Sequence, residues 1–599
     1  MEGCRVAKGS CLDRLSALYP KDLDSKTSAK RRIDNTDEIL PHFSNGHDMG
    51  CLLSIIPMGM LGHMNNVLRH PDVYSIRPVR GIFLIFCAAA LVGCSESSGG
   101  SYDILLRNAQ VLDGSGAPAF SGDVGIRADR IADVGDLSGA NGTTEIDLTG
   151  LYVAPGFIDV HSHSGGGLVQ AETSPSIALL SQGITTAFIN PDGGGPVDMA
   201  VQRQELLEHG LGVNAAQLVP HGSVRREVLG MEDRAPSEAE LDQMRALVRT
   251  GMEEGAFGLS SGPFYTPGSF SETSELVELA KVAAEFLGVY TSHIRDESDY
   301  TIGLEGSVAE VIQVAEEGGL TGIVTHIKAL GPRVWGLSST IVNMIESARA
   351  RGVSVFADQY PYDASSTGLS SALLPRWAQA GGADSLQARL ADPPTLIRIQ
   401  EEMVENLDRR GGAERIQIRD YEPNPALGGS FLSEFADEWG VDAIEAAIRI
   451  LRETSPSITS FNMNEDDIRM FMVQPWTMTS TDGSLPRFRI GLPHPRSYGT
   501  FARKIHHYVL EEEVIDLPAA IRSMTSLSAE VLGVEDRGVV EAGAFADLVV
   551  FDLDRVRDLA TYEEPHQLSE GMVHVLVNGD FAIRDGSPTG AMPGRVITR

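Results

Sequence analysis

The sequence predicts an α/β chain: a (β/α)8 TIM barrel, a small β-sandwich built from both ends of the mature chain, and a helical insertion between barrel strands seven and eight. Three observations carry this. Between residues 156 and 482, short apolar runs alternate with helical stretches, the pattern of parallel strand–helix units. Strand-like runs bounded by turn residues stand on both sides of that stretch. The alternation breaks once, between residues 359 and 476, a gap too long for one loop and one helix.

The elements follow in order. Residues 1–72 are polar and lack a sustained period, and read as a non-native or disordered extension. Residues 73–94 read as a lipoprotein-type signal peptide. Arg77 and Arg80 precede an apolar run at 81–90, and Leu91-Val92-Gly93-Cys94 closes it. The run is too short for a permanent membrane span. Its ending resembles the lipobox of bacterial lipoproteins, in which the cysteine, here Cys94, becomes the lipidated first residue. Residues 95–101 form a Ser/Gly linker. The expected location is therefore the periplasmic side of a bacterial membrane, held by the lipid anchor alone. A signal belongs at a chain start, so the native start is read as lying further in, for example at Met64. With the long N-terminus in place, the chain would stay cytoplasmic.

Residues 102–154 and 536–599 supply the two parts of the sandwich, through runs such as 103–107, 123–126, 546–552 and 573–579. Residues 155–535 supply the barrel, with an inserted subdomain at about 370–470. The eight strand candidates are 156–163, 183–190, 214–221, 256–260, 288–293, 322–326, 353–359 and 476–482. Helical patterns at 385–408 and 433–453 fill the insertion.

Composition excludes several roles. A net charge of −34 repels nucleic acid and anionic headgroups. All five cysteines lie at or before Cys94, so the rest of the chain holds no internal disulfide and no thiolate zinc site.

The chemistry starts at Pro155-Gly-Phe-Ile-Asp-Val-His161-Ser-His163. Side chains alternate along a strand, so His161 and His163 point the same way, toward the barrel mouth. Such a pair is half a metal site, and it also fits two satisfied core histidines. The pair is not alone. His293 ends strand five, His326 ends strand six and Asp482 ends strand eight. Four imidazoles and a carboxylate at one end of different strands suit Zn²⁺ or a similar divalent ion. Lys328 lies two residues beyond His326, on the same face of its strand. His221, Arg225 and Arg226 at strand three fit pocket lining and core packing equally. Arg376 and Trp377 open the insertion, where they fit a lid, and His494 fits a structural role.

PGFIDVHSH resembles the signature of the amidohydrolase superfamily. SSGPFYTPG (260–268), YTSHIRDE (290–297), THIKALG (325–331), DQYPYDASSTG (358–368), STDG (480–483) and HPRSYGTFAR (494–503) are together similar to D-aminoacylases, the N-acyl-D-amino-acid deacylases. The resemblance runs from about Tyr102 to the C-terminus. It implies one metal position at His161, His163 and Asp482, and a second at His293 and His326, so one or two zinc ions. It implies Asp482 as the general base and acid. It implies Lys328 and Arg496 as holders of a substrate carboxylate, with Tyr360 and Ser366 as further contacts and Tyr265 beside the site. One position departs. D-aminoacylases usually carry a cysteine in a Gly-Asn-Cys-Gly segment after strand two; this chain reads Asn190-Pro191-Asp192-Gly193. Asp192 is a carboxylate that can bridge metals, and it also fits a turn residue in a Gly-rich loop.

The implied activity is metal-dependent hydrolysis of N-acyl-D-amino acids to a carboxylate and a free D-amino acid. It belongs to the hydrolases of linear amide C–N bonds. Metal lowers the pKa of water so that hydroxide exists near neutral pH, and Asp482 handles the proton. The substrate is a small molecule with a free carboxylate. A dipeptidase of the same superfamily shares this clamp and this chemistry. A binding lipoprotein without catalysis would lack the base or several ligands, all of which are present here.

Overall fold

The structure, a computed structural model, describes residues 101–599. The expected signal peptide with Cys94, the expected extension and nearly all of the expected linker lie outside the described residues.

Eight parallel strands occur in the predicted order: Phe157–Asp159, Ile184–Ile189, Asn214–Gln217 continued as Val219–Pro220, Gly258–Ser261, Val289–Ser292, Gly322–Val324, Val355–Gln359 and Thr477–Thr479. They are buried almost throughout, as strands covered on both faces by helices must be. The arrangement is TIM-barrel-like and is drawn as two parallel sheets. Strand three joins them. Its first half pairs with strand two and its second half with strand four, the change falling at Leu218. Backbone bonds from Leu218 N to the Ile189 carbonyl (3.2 Å) and from Phe257 N to the Gln217 carbonyl (2.9 Å) carry hydrogen bonding across the change. At the other seam, Asp482 N donates to the His161 carbonyl and His163 N to the Gly483 carbonyl, both at 2.9 Å.

The helices between strands bury one stripe each. Glu238–Glu253 starts at a capping box, Ser237 with Glu240, and buries Met244, Val248 and Met252. These residues join helices Thr273–Ala284 and Gly303–Gly318 in the largest apolar cluster, which props strands three to seven from outside.

The two chain ends meet in one nine-stranded sheet of mixed direction, where the sequence leads one to expect two separate facing sheets. Strand Ser101–Val111 causes this. Its irregularity between Leu106 and Ala109 lets one edge pair first with Asn141–Asp147 and then with Tyr152–Pro155. Tyr152–Pro155 pairs in turn with Leu548–Phe551 from the C-terminal part. Along Leu548–Phe551 the side chains alternate. Leu548 and Val550 face the core of this sheet, and Val549 and Phe551 face the barrel side. The last residues leave the sheet. Val596–Ile597 pairs in parallel with Asn214–Gln217, filling the edge that strand three leaves open. Buried Asn214 fixes this: its Oδ1 accepts from Arg595 N (3.0 Å) and from Asn578 Nδ2 (2.8 Å).

The segment between strands seven and eight carries six helices: Glu465–Met472 just before strand eight, and Leu369–Leu373, Gly382–Ala391, Pro393–Arg409, Leu432–Trp439 and Ala443–Glu453 around fully buried Leu373, Ile399, Met403, Phe435 and Ile448. It also carries an antiparallel sheet of Ser365–Gly368, Ile416–Ile418 and Ser457–Ser460. Three strands of three or four residues are too short to show a period in sequence.

Candidate metal centre and substrate cavity

Strand one ends at Asp159, short of the histidines, where the sequence leads one to expect a strand through 163. The reason is local. Asp159 accepts hydrogen bonds from Thr481 N (2.8 Å) and Thr481 Oγ1 (2.6 Å), drawing the exit of strand eight against the exit of strand one. His161, His163 and Asp482 are therefore presented by two loops tied to each other. Their mutual approach does not depend on strand alternation.

Asp192 sits at the centre of the cluster. Its Oδ1 lies 3.3 Å from His161 Nε2 and 3.6 Å from His326 Nε2; its Oδ2 lies 3.2 Å from His163 Nε2 and 3.7 Å from His293 Nδ1. One carboxylate thus faces all four imidazoles. Asp482 Oδ1 lies 3.2 Å from His163 Nε2 and 3.6 Å from His161 Nε2, and its Oδ2 lies 2.7 Å from Arg496 Nη1. All six residues named from the sequence converge. The backbone is bent to bring this about. Asp192, His326 and Asp482 have φ of 56°, 37° and 46°, a region that side chains with a Cβ seldom adopt. Such strain costs about 1–3 kcal/mol per residue and persists where surrounding structure enforces it.

Burial pushes the Asp192 carboxyl up, but the imidazoles of His161, His163 and His293 override it and hold the group well below the usual range. Burial acts likewise on Asp482, and Arg496 and His326 override it. The response appears on the histidines. Burial lowers His163, yet its bonds to Asp192 and Asp482 raise it to about 10. His326, lowered by burial and by Lys328, is carried up to about 9 by Asp482, Glu297 and Asp192. The carboxylates therefore demand positive charge between the rings.

Buried polar atoms show what would meet that demand. His161 Nε2, both ring nitrogens of His293 and Asp192 Oδ1 have no hydrogen-bond partner. Orphaned buried groups are costly in a folded protein and call for a ligand. Donor atoms of His161, Asp192, His326 and Asp482 lie within 4.8 Å of one another, and those of His293, Glu297 and His326 form a second such group. Imidazole nitrogens with carboxylate oxygens fit zinc. Asp358 adds support from behind, accepting from His326 N (2.9 Å) and Ser480 Oγ (2.6 Å).

The substrate-contact candidates adjoin the cluster. The Tyr265 ring lies tilted against the His293 ring, centroids 4.6 Å apart, with its hydroxyl 3.2 Å from Thr367 Oγ1. The Tyr360 ring lies under both cations, 4.7 Å from Arg496 Cζ and 5.5 Å from Lys328 Nζ. Lys328 is already engaged: its Nζ lies 2.5 Å from Glu297 Oε1 and 2.6 Å from His326 Nδ1. Ser366 Oγ accepts from Arg419 Nη1 at 2.9 Å. A cavity of about 600 Å³ opens beside Asp192 and Asp482 and is lined also by Tyr265, Ser366, Arg419 and Arg496.

The softer candidates separate. His221 and Arg225 are buried and both bind Glu275, the histidine at 2.8 Å, so they belong to the packing under strand three. Arg226 is exposed and lines the cavity. Arg376 packs over the Phe264 ring at 4.0 Å, and Trp377 Nε1 donates to Glu402 inside the insertion. His494 accepts from Arg496 N at 3.1 Å and lies 3.0 Å from the Ala364 carbonyl through its other nitrogen, which orients the arginine's loop.

Sequence reasoning missed Glu297 and Arg419. Glu297 stands four residues after His293, and that spacing beside a ligand was the available signal. Arg419 follows a three-residue strand in the insertion and carries no signal at all.

Imidazoles and carboxylates at the exits of parallel strands, beside an open cavity, define a metal-dependent hydrolase on a TIM-barrel-like scaffold. Comparison with known proteins narrows the class. The family described as "Amidohydrolase family" matches residues 144–583. N-acyl-D-glutamate deacylase of Alcaligenes xylosoxydans xylosoxydans is 35% identical over 83% of this chain and 96% of its own. D-aminoacylase of the same organism is 32% identical over 84% and 99%. A crystal structure of N-acyl-D-glutamate deacylase from Bordetella bronchiseptica, complexed with zinc and a phosphonate mimic of the tetrahedral intermediate, superposes with a TM-score of 0.72. It is 33% identical and covers 84% of this chain and all of that one. The chain belongs to the amidohydrolase family, and the relatives it matches over most of its length include an N-acyl-D-glutamate deacylase and a D-aminoacylase.

Proposed function

We propose that the protein hydrolyses the amide bond of N-acyl-D-amino acids, releasing a carboxylate and a free D-amino acid. The observation that carries this is Asp192, one carboxylate facing four imidazoles, with Asp482 beside them at the cavity floor. Its support from relatives is the shared activity of the deacylases above.

His161, His163, His293, His326, Asp192 and Asp482 would hold one or two zinc ions, with the Asp192 carboxylate offering oxygen donors toward all four imidazoles. Zinc supplies Lewis acidity, which lowers the pKa of water and polarises a carbonyl. The chain's own residues do the rest. Asp482 is ionised at neutral pH, the form that accepts a proton from the attacking water. The water oxygen bonds to the acyl carbon, the C–N bond breaks, and Asp482 returns the proton to the departing amine. Arg496, held by Asp482 through one nitrogen, offers its remaining N–H groups to the substrate carboxylate. Tyr360 and Ser366 border the same place. Lys328 contributes charge there while it holds Glu297.

The scaffold reads as a (β/α)8 barrel at 155–535 with the insertion at about 370–470, and a companion β-domain from 102–154 and 536–599. Export as a lipoprotein through Cys94 rests on the sequence pattern at 73–94. No helix among the described residues is long and apolar enough to cross a membrane.

The test is amine release by the purified, zinc-supplied protein from N-acetyl-D-amino acids, their L forms and dipeptides. The expected result is activity on D substrates. Turnover of L forms or dipeptides alone would overturn the substrate; no turnover of any amide would overturn the hydrolase.

A further inference from the structure

Most charged groups at the cavity floor are matched. Asp482 pairs with Arg496 at 2.7 Å, Glu297 with Lys328 at 2.5 Å, and Asp192 with the imidazoles. Arg419 differs. It follows Ile416–Ile418 in the insertion, reaches the cavity wall, and has no carboxylate within ion-pair distance among the described residues. It is not loose. Nε donates to the Leu492 carbonyl (2.8 Å) and Nη1 to Ser366 Oγ (2.9 Å). Two neutral acceptors thus fix the guanidinium plane and leave its second terminal nitrogen without a partner. Burial and the neighbouring charge of Arg496 both disfavour the cation, lowering its pKa to about 10, so it stays charged at neutral pH.

A guanidinium oriented by neutral groups, half-withdrawn from water and near a second arginine, is a costly arrangement unless an anion completes it. Among the described residues, the only acidic ones lining this cavity are Asp192 and Asp482, and both are engaged. The anion must come from the ligand. One carboxylate, the α-carboxylate, is accounted for by Arg496 under the deacylase reading, on which this inference rests. A substrate with one carboxylate leaves Arg419 unanswered.

We propose that Arg419, positioned by Ser366 and Leu492, is a second carboxylate subsite, and that the preferred substrates are N-acyl derivatives of acidic D-amino acids. The side-chain carboxylate takes the free edge of Arg419 while the α-carboxylate takes Arg496. Identity to relatives does not decide this: the N-acyl-D-glutamate deacylase and the D-aminoacylase stand at 35% and 32%. The geometry of this wall does.

The experiment compares kcat/KM for N-acetyl-D-glutamate and N-acetyl-D-aspartate with that for N-acetyl-D-leucine, using the zinc-supplied protein, Arg419→Met and Arg419→Lys. The wild type is expected to favour the acidic substrates by about tenfold or more, because a site built around a buried donor discriminates against a ligand that leaves it bare. Arg419→Met is expected to cut that ratio by about tenfold, and Arg419→Lys by less, since it keeps the charge and loses the fork. Calorimetric binding of the same ligands to Asp482→Asn should show the same order. A wild-type preference for the neutral substrate overturns the proposal. So does a parallel loss on both substrates in Arg419→Met, which would make Arg419 a support for Ser366 only. Failure on every N-acyl-D-amino acid overturns the deacylase reading itself, and with it this subsite.

Discussion

The strand exits and the wall contributed by the insertion solve opposite electrostatic problems. At the strand exits, three carboxylates face cations or imidazoles: Asp192 meets four rings, Asp482 meets Arg496, and Glu297 meets Lys328. On the insertion side, Arg419 meets only a hydroxyl and a carbonyl. Lys504, deep behind strand eight, is a second cation of that kind, bonded to the hydroxyls of Thr479 (2.9 Å) and Ser523 (2.8 Å). Dense pairing fixes geometry and suits chemistry that tolerates little displacement. Neutral partners leave a cation's charge uncancelled: Arg419 faces a cavity and stays charged, whereas burial lowers the Lys504 pKa to about 7. What each unmatched charge faces decides its use.

The largest effect should come from breaking the matched region. Asp482→Asn removes the proton acceptor and is expected to lower kcat/KM by about 10²–10⁴-fold, measured on N-acetyl-D-amino acids. The fold should remain, which circular dichroism checks. Asp192→Ala tests the centre of the cluster. Zinc affinity is expected to fall by at least about 100-fold by titration against a chelator, while Asp192→Cys keeps an anionic donor and is expected to retain metal. Equal zinc affinity in Asp192→Ala would remove Asp192 from the ligand set.

Glu297 sharpens the comparison from one step out. Its Oε1 lies 3.1 Å from His326 Nδ1 and 2.5 Å from Lys328 Nζ, so it steadies both the ring and the lysine that contacts the same ring nitrogen. Glu297→Gln is therefore expected to weaken zinc binding and activity by about 10–100-fold. An unchanged zinc affinity would confine Glu297 to holding Lys328. Stability of the insertion is a separate matter. Phe435 is fully buried there, and Phe435→Ala should cost about 3–5 kcal/mol, read from denaturant unfolding.

The smallest effect tests the unmatched lysine. Burial lowers the Lys504 pKa to about 7, whereas an unfolded lysine titrates near 10.4. Between those values the unfolded chain holds a proton that the folded chain has released. Stability contributed at this site therefore rises with pH from about 7 to about 10, by on the order of a few kcal/mol. Lys504→Met should flatten that rise. A Lys504→Met protein with the same pH dependence as the wild type would show that the ammonium is not held neutral.

Much of this was legible in the sequence, for identifiable reasons. Parallel strands buried on both faces write themselves as apolar runs, so all eight fall on the predicted runs, the first ending early at Asp159. The histidines and Asp482 stand at the ends of those runs, which pointed to one end of the strands; Asp192 was legible only as a departure from the family segment that the chain resembles. Other features had no local signature. Strand one stops at Asp159 because a side chain from one loop ties down another, a contact between residues 159 and 481. The chain ends form a single sheet because one strand edge is shared by two partners in succession. The last strand leaves that sheet because Asn214 is buried and needs partners. Arg419 became a cavity residue only when three very short strands set the insertion against the barrel mouth. Sequence determined the strand order and the donor types, since burial and metal chemistry constrain residue identity position by position. Tertiary structure decided which donors share one carboxylate and which cation is left unmatched, since those depend on contacts between segments that have no sequence relation to each other.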